Sequence, residues 1–326
     1  MNWDTIDWDA LERMRAAFLA GTAGAADYWQ TESELAAYDA TFAQRIGWKW
    51  DFVLGELQRR GWTPPKGELL DWGCGSGVAG RAFLDHFGAE SVTKLRVWDR
   101  SPLAMNFAAR RAREKYPQLV VATTALPEHV AGGTLLISHV LTELTPAQTE
   151  ALAATAATAD CVLWVEPGTY EASLTLIAIR ERLRQRFHLV APCTHQERCG
   201  ILAPENERHW CHHFAAPPPE IFTDRNWARF ANLLGIDLRD LPVSFLVLDR
   251  RPPPAWPAGA ARLIGHPRIY KGYALMLGCD AGGVSEQRLS QRIFSAEFKQ
   301  FKKGRHASLC QWQCAKGDIQ SYQPLD

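Results

Sequence analysis

The chain has 326 residues, 47% of them hydrophobic and 22% charged, with 36 Lys plus Arg balanced by 36 Asp plus Glu. These are ordinary values for a globular protein. No run approaches the roughly 18 apolar residues of a membrane span. The first residues, MNWDTIDWDALERM, carry acids early and lack an apolar core, so neither a signal nor a transit peptide is expected. The expected compartment is therefore cytoplasmic, where thiols stay reduced and cysteine clusters point to metal rather than disulfide.

Residues 1–66 read as a helical segment. Leu11, Met14, Ala17 and Phe18 recur at helical spacing, as do Trp48, Phe52 and Leu57, until TPPKG (Thr63 to Gly67) breaks the pattern. Apolar runs then alternate with helical stretches. ELLDW (68–72), KLRVWD (94–99), LVVATT (119–124), TLLISHV (134–140) and CVLWVE (161–166) read as buried strands, with helices over 78–87 and 102–115 between them. A helix over 171–187, a strand HLVAP (188–192) and a closing strand VSFLVLDR (243–250) follow. Such alternation predicts an α/β fold with a mostly parallel, doubly wound sheet. The expected division is a helical segment 1–66, a sheet domain 67–250 with a Cys-rich insertion 191–223 between the sixth and seventh strands, and a small strand-rich lobe 251–326 behind the stiff linker RRPPPAWPAG.

LLDWGCGSGVAG, after the first strand, fits two templates. Gly75, Gly77 and Gly80 match the dinucleotide G-x-G-x-x-G. Asp71, Gly73, Gly75 and Gly77 match D-x-G-x-G-x-G, which resembles motif I of class I S-adenosylmethionine (SAM) methyltransferases. A carboxylate at the strand end repels a pyrophosphate but attracts the ammonium of the SAM methionine moiety, so SAM is the expected cofactor. Asp99, ending the second strand, is placed to accept from ribose hydroxyls. Cys74 inside the loop reads as a small filler. After the fourth strand, His139 and Glu143 are candidate bases for methyl transfer, although such residues also serve as helix caps or pocket lining. EPGT (166–169) ends the fifth strand at the same expected sheet edge.

Ala191 to His213, APCTHQERCGILAPENERHWCHH, holds three of the eight cysteines among charged and turn-forming residues, where packing as small hydrophobes explains them poorly. The spacings of Cys193, Cys199 and Cys211 match no common zinc finger or ferredoxin. Pro192-Cys193 is similar to the Pro-Cys pair of 5-methylcytosine RNA methyltransferases, but that pair follows the fourth strand and this one the sixth. Metal binding is the economical reading, with His195, His209, His212, His213 and Cys279 as candidates for a fourth ligand. From Arg250 to Arg305 there are 11 Lys plus Arg against 3 acids, a local balance of +8 that points either to a polyanionic partner or to a solvated surface.

Taken together, LLDWGCGSGVAG, SHVLTEL, VEPGT, APCTHQERC, HWCHHF, VSFLVLDR and RLIGHPRIYKGYALMLGC resemble the Rsm-twenty-two type of methyltransferase-like proteins of the small ribosomal subunit, found in bacteria and mitochondria. The resemblance covers roughly residues 35–280. It implies a class I SAM-methyltransferase fold, SAM at Asp71, Gly73, Gly75, Gly77 and Asp99, and a 4Fe-4S cluster on Cys193, Cys199, Cys211 and Cys279, with zinc as the alternative. It also implies association with small-subunit rRNA, for which Arg262, Arg268, Lys271, Lys302, Lys303 and Arg305 are the expected phosphate contacts. A catalytically active RNA methyltransferase and a small-molecule methyltransferase are the competing activities. Cys310 and Cys314 lie outside the matched region and read as ordinary thiols.

Overall fold

The computed structural model describes residues 3–21, 29–130 and 132–325, so residues 1–2 and 22–28 of the expected helical segment lie outside it. In chain order the elements are α1 (Trp8–Leu19), α2 (Glu32–Ala40), α3 (Phe42–Arg59), β1 (Glu68–Trp72), α4 (Val78–Phe87), β2 (Lys94–Trp98), α5 (Pro102–Lys115), β3 (Val121–Thr123), β4 (Gly133–Ser138), α6 (Pro146–Ala156) and β5 (Cys161–Pro167). They continue as α7 (Tyr170–Leu183), β6 (His188–Ala191), β7 (His213–Phe214), α8 (Arg225–Leu234), β8 (Pro242–Asp249), β9 (Ala260–Tyr270), β10 (Tyr273–Asp280), β11 (Gly283–Ser290), α9 (Ser295–Lys302), β12 (Leu309–Ala315) and β13 (Asp318–Pro324).

Two compact units share the chain. The first takes the residues up to Gln58, Trp62–Glu166 and Ala215–Leu241; the second takes Arg59–Gly61, Pro167–Phe214 and Pro242 onward. In the first, β3, β2, β1, β4 and β5 pair side by side in that order, and every pair is parallel. The expected parallel α/β sheet is present. Its strands are nearly continuous apolar runs because helices cover both faces of such a sheet. Gly133 lets β4 lie close to β1, since a Cβ there would sit 2.2 Å from the Glu68 carbonyl oxygen.

Local chemistry fixes most helix starts. Asp7, Ser101 and Thr145 accept backbone N–H groups as N-caps, and Thr31 with Glu34 forms a reciprocal capping box on α2. Two elements end more than one residue earlier than periodicity predicts. TLLISHV leaves the strand after Ser138 because His139 adopts a left-handed φ of 57°. The helix expected to reach Phe187 stops at Leu183, where the Arg186 and Phe187 N–H groups both turn back to the Leu183 carbonyl. Alongside the sheet, α1, α2, α3, α5 and α8 bury an aromatic-rich cluster that includes Leu11, Leu35, Phe42, Trp227 and Phe230.

In the second unit, β6 and β7 each pair antiparallel with β8. The segment between β6 and β7 is mostly irregular, with short 3-10 turns at Gly200–Leu202 and Pro204–Asn206. The expected strand-rich lobe is a closed barrel in the order β10-β11-β13-β12-β9. Closure removes the sheet edges. Its core holds Leu263, Met276, Leu289, Phe298, Phe301 and Trp312. Cys310 packs into that core and Cys314 is exposed, which accords with ordinary thiols.

Candidate SAM pocket and cysteine site

β1 delivers the chain to a loop that only glycine accommodates. Gly73, Gly75 and Gly77 have φ of 66°, 50° and 79°, a region that a side chain resists. Space is short as well: a Cβ on Gly73 would meet Val140 Cγ1 at 2.8 Å, and one on Gly77 would meet Ala108 Cβ at 2.8 Å. Asp99 ties this loop to the turn after β2. Its Oδ2 accepts from the Gly75 N–H at 2.9 Å and its Oδ1 from the Ser101 N–H at 2.9 Å.

Asp71 is fully buried, and its Oδ2 accepts from the Gly80 N–H at 3.0 Å, at the start of α4. Its Oδ1 has no hydrogen-bond partner among the described residues. Burial pushes the carboxyl up to about 7, against the pull of the Gly80 N–H and Arg81. At neutral pH about half of Asp71 is therefore ionised, a negative charge beneath the glycine loop. Arg81, also buried, donates to the Ser76 carbonyl inside the loop and pairs with Asp39 of α2 at 2.5 Å. Sequence reading gave no role to Arg81 or Asp39, since residues 42 apart carry no joint signal. Cys74 is buried, as a filler should be.

After β4 the backbone reverses at His139, and the Val140 and Leu141 N–H groups donate to the buried Glu166 carboxylate, which also accepts from Trp164 Nε1 at 2.7 Å. Burial raises the Glu166 carboxyl to about 7. His139 Nε2 lies 3.2 Å from Lys49 Nζ on α3, and its Nδ1 lies 3.3 Å from Ser138 Oγ, which accepts from Trp50 Nε1. Burial, with Lys49 second, keeps the imidazole well below its ordinary pKa. An ammonium on Lys49 donates to Nε2, so the ring proton sits on Nδ1 and faces Ser138. Glu143 is half-buried, and its charge reaches the buried phenol of Tyr38 and the carboxyl of Glu166. Lys49 and Tyr38 carry no local sequence signal, and Glu166 shows in the sequence only as a strand end.

The second unit gathers the other candidates. Cys199 packs in a small apolar cluster with Ile177, Ile201, Ile264 and Val284, against which Cys211 and Cys279 also pack. Burial raises the Cys279 thiol well above its ordinary value, and the charges of Cys193, Cys211 and Cys199 raise it further. All four sulfurs thus lie within electrostatic reach of one another. His195 Nδ1 accepts the Glu197 N–H at 3.2 Å, leaving its Nε2 proton to face Cys279 Sγ at 3.4 Å. Cys211 Sγ lies 3.6 Å from His213 Nε2, and the Cys211 carbonyl accepts from Ser173 and Ser244. Arg180, buried on α7, donates to Cys193 Sγ at 3.4 Å and to the Glu197 carbonyl. His209 is paired with Arg208, and the His212 ring stacks on Trp210. Among the described residues, no three His, Cys, Asp or Glu side chains form a group that could hold a metal ion as placed.

The basic set needs one correction. Arg262 is only 2% exposed; it donates to the Pro192 carbonyl and stacks near Phe245, so it cannot contact a phosphate. Arg268 is paired with Glu286, while Lys271, Lys302, Lys303 and Arg305 are exposed.

The sequence profile of the family described as "Mitochondrial small ribosomal subunit Rsm22" matches residues 55–312. The chain belongs to the Rsm22 family. No curated protein matches it. Among solved structures, this Rsm22 protein is similar to the plantazolicin methyltransferase BpumL in complex with SAH, with 15% identity, a TM-score of 0.38, and 75% of this chain and 98% of that one covered. A SAM-dependent methyltransferase from Aquifex aeolicus is similar at 13% identity and a TM-score of 0.37, covering 51% of this chain and 93% of that one. These two likenesses carry no weight for function.

Proposed function

We propose that this Rsm22 protein binds SAM over the Gly73–Gly77 loop, holds an iron-sulfur cluster on four cysteines, and acts on the small ribosomal subunit. The observation that carries the first part is the Asp99 carboxylate bound to the Gly75 N–H. It sets an acceptor for ribose hydroxyls against a backbone turn with no room for side chains. The family supports the ribosomal part. Calorimetry with SAM tests the pocket: the intact protein should bind it, and D99A should weaken binding by roughly tenfold or more through lost charge-assisted hydrogen bonds. Radiolabelled methyl transfer into immature small subunits then separates an enzyme from a non-catalytic assembly factor. Incorporation supports an enzyme, with His139 and Glu143 proposed beside the methyl acceptor.

Cys193, Cys199, Cys211 and Cys279 suit a thiolate-bound cluster. All are free, and although burial raises the Cys211 thiol, the charges of Arg262 and Arg180 pull it back toward the thiolate form. When bound, such a group supplies iron–thiolate bonds that crosslink the 193–211 segment to β10. Arg180 and His195 would orient the sulfurs through their N–H bonds to Cys193 and Cys279. Anaerobic purification with absorption spectra and iron, sulfide and zinc analysis tests this. Brown protein with near-stoichiometric iron and sulfide supports the cluster, and colourless zinc protein replaces it. Lys271, Lys302, Lys303 and Arg305, with Arg268 once released from Glu286, would meet rRNA phosphates. Affinity that does not fall with salt would refute that contact.

A further inference from the structure

We propose that Lys49 is the receptor for the carboxylate of the bound cofactor and so decides between SAM and its decarboxylated form. This inference rests on the SAM reading above.

Lys49 is a half-buried ammonium with no carboxylate at salt-bridge distance among the described residues. Withdrawing a charge from water without an opposite charge is costly, so such lysines are rare unless something completes them. Burial and the like charge of Arg45 lower its pKa to about 8, while the charges of Glu166 and Asp240 pull it back up. At neutral pH it remains mostly charged. Of its three N–H donors, one is directed at His139 Nε2, which fixes the side chain and leaves two for a ligand.

Its place is against the glycine loop. Val140, the residue after His139, stands where a Cβ on Gly73 would meet it at 2.8 Å. On α3, two residues before Lys49, Gly47 adjoins Val78, the first residue of α4; a Cβ there would lie 3.3 Å from Val78 Cγ2. Lys49 reaches the loop through His139, whose neighbour Val140 abuts Gly73. The amino-acid end of SAM presents one ammonium and one carboxylate. The Asp71 field suits the ammonium, and the carboxylate requires a cation. Arg81 is consumed by Asp39 and the Ser76 carbonyl, whereas Lys49 has donors to spare. His139 is then a positioning residue for Lys49.

The test compares three ligands by calorimetry on the full chain: SAM, decarboxylated SAM, and 5′-methylthioadenosine, which lacks the whole amino-acid end. Wild type should prefer SAM over decarboxylated SAM by roughly tenfold or more, the scale of a charge-assisted hydrogen bond. K49M should bring that ratio close to one while leaving methylthioadenosine affinity unchanged, which shows that the pocket is still folded. K49R should retain part of the preference. Equal weakening of SAM and decarboxylated SAM by K49M would overturn the proposal. So would an unchanged ratio accompanied by lost rRNA affinity, which would assign the cation to an RNA phosphate. Wild type that binds none of the three ligands would overturn the SAM reading itself, and this inference with it.

Discussion

D71N isolates the cost of the buried carboxylate beneath the glycine loop. Burial lifts the Asp71 carboxyl from its ordinary 3.8 to about 7. The folded state then holds this proton more tightly than the unfolded state does. Its contribution to stability is fully present below pH 3.8 and is lost as pH rises through about 7. The full loss is about 4 kcal/mol at roughly 1.4 kcal/mol per pKa unit. More than a third has already gone by pH 5, which leaves about 3 kcal/mol between pH 5 and pH 9. In D71N the amide oxygen keeps the Gly80 N–H, and the amide nitrogen replaces an oxygen that has no partner. The cost of that replacement does not depend on pH, so it cancels when the mutant–wild-type difference is compared at the two pH values. Glu166 titrates similarly, but in both proteins. Urea unfolding read by pulse proteolysis, scoring peptides from 68–98, should show D71N gaining about 3 kcal/mol on wild type from pH 5 to pH 9. Parallel pH profiles for the two proteins would refute the claim that burial raises the Asp71 carboxyl to about 7.

R81A should destabilise the first unit by about 1–3 kcal/mol, because it leaves the buried Asp39 carboxylate only Arg111, at 3.6 Å, as an ionic partner; the same urea assay measures it, and R81K should recover part of the loss. G278A places a Cβ 1.9 Å from Trp312 Cη2 inside the barrel. It should make the barrel protease-sensitive, and the double variant G278A/W312L should recover resistance by vacating that space. K302A/K303A should lower the salt slope of rRNA binding by about 1 to 2 while leaving stability unchanged. R262A should do the reverse, lowering the melting temperature without changing the slope, since its guanidinium is buried on the Pro192 carbonyl.

The strands of the parallel sheet and the helices α4 and α5 were legible because their signals are local. Alternating apolar runs and helical periodicity lie within a few residues of one another, and DWGCGSG states its own backbone demand for left-handed φ. The four cysteines could be named as a set only through family resemblance, because Cys279 lies 68 residues beyond Cys211 on another element. Net charge misled at Arg262: counting along the chain treats every guanidinium as exposed, while the fold buries this one.

Composition and periodicity by themselves determined the α/β class, the glycine loop and the strand ends on which Asp71, Asp99 and Glu166 stand. Only the tertiary structure decided which groups meet: Lys49 against His139 across 90 residues, Arg81 against Asp39, and Arg180 against Cys193. The physical reason is that backbone preference acts over one or two turns. The state of a charge depends instead on desolvation and on partners that chain order does not reveal.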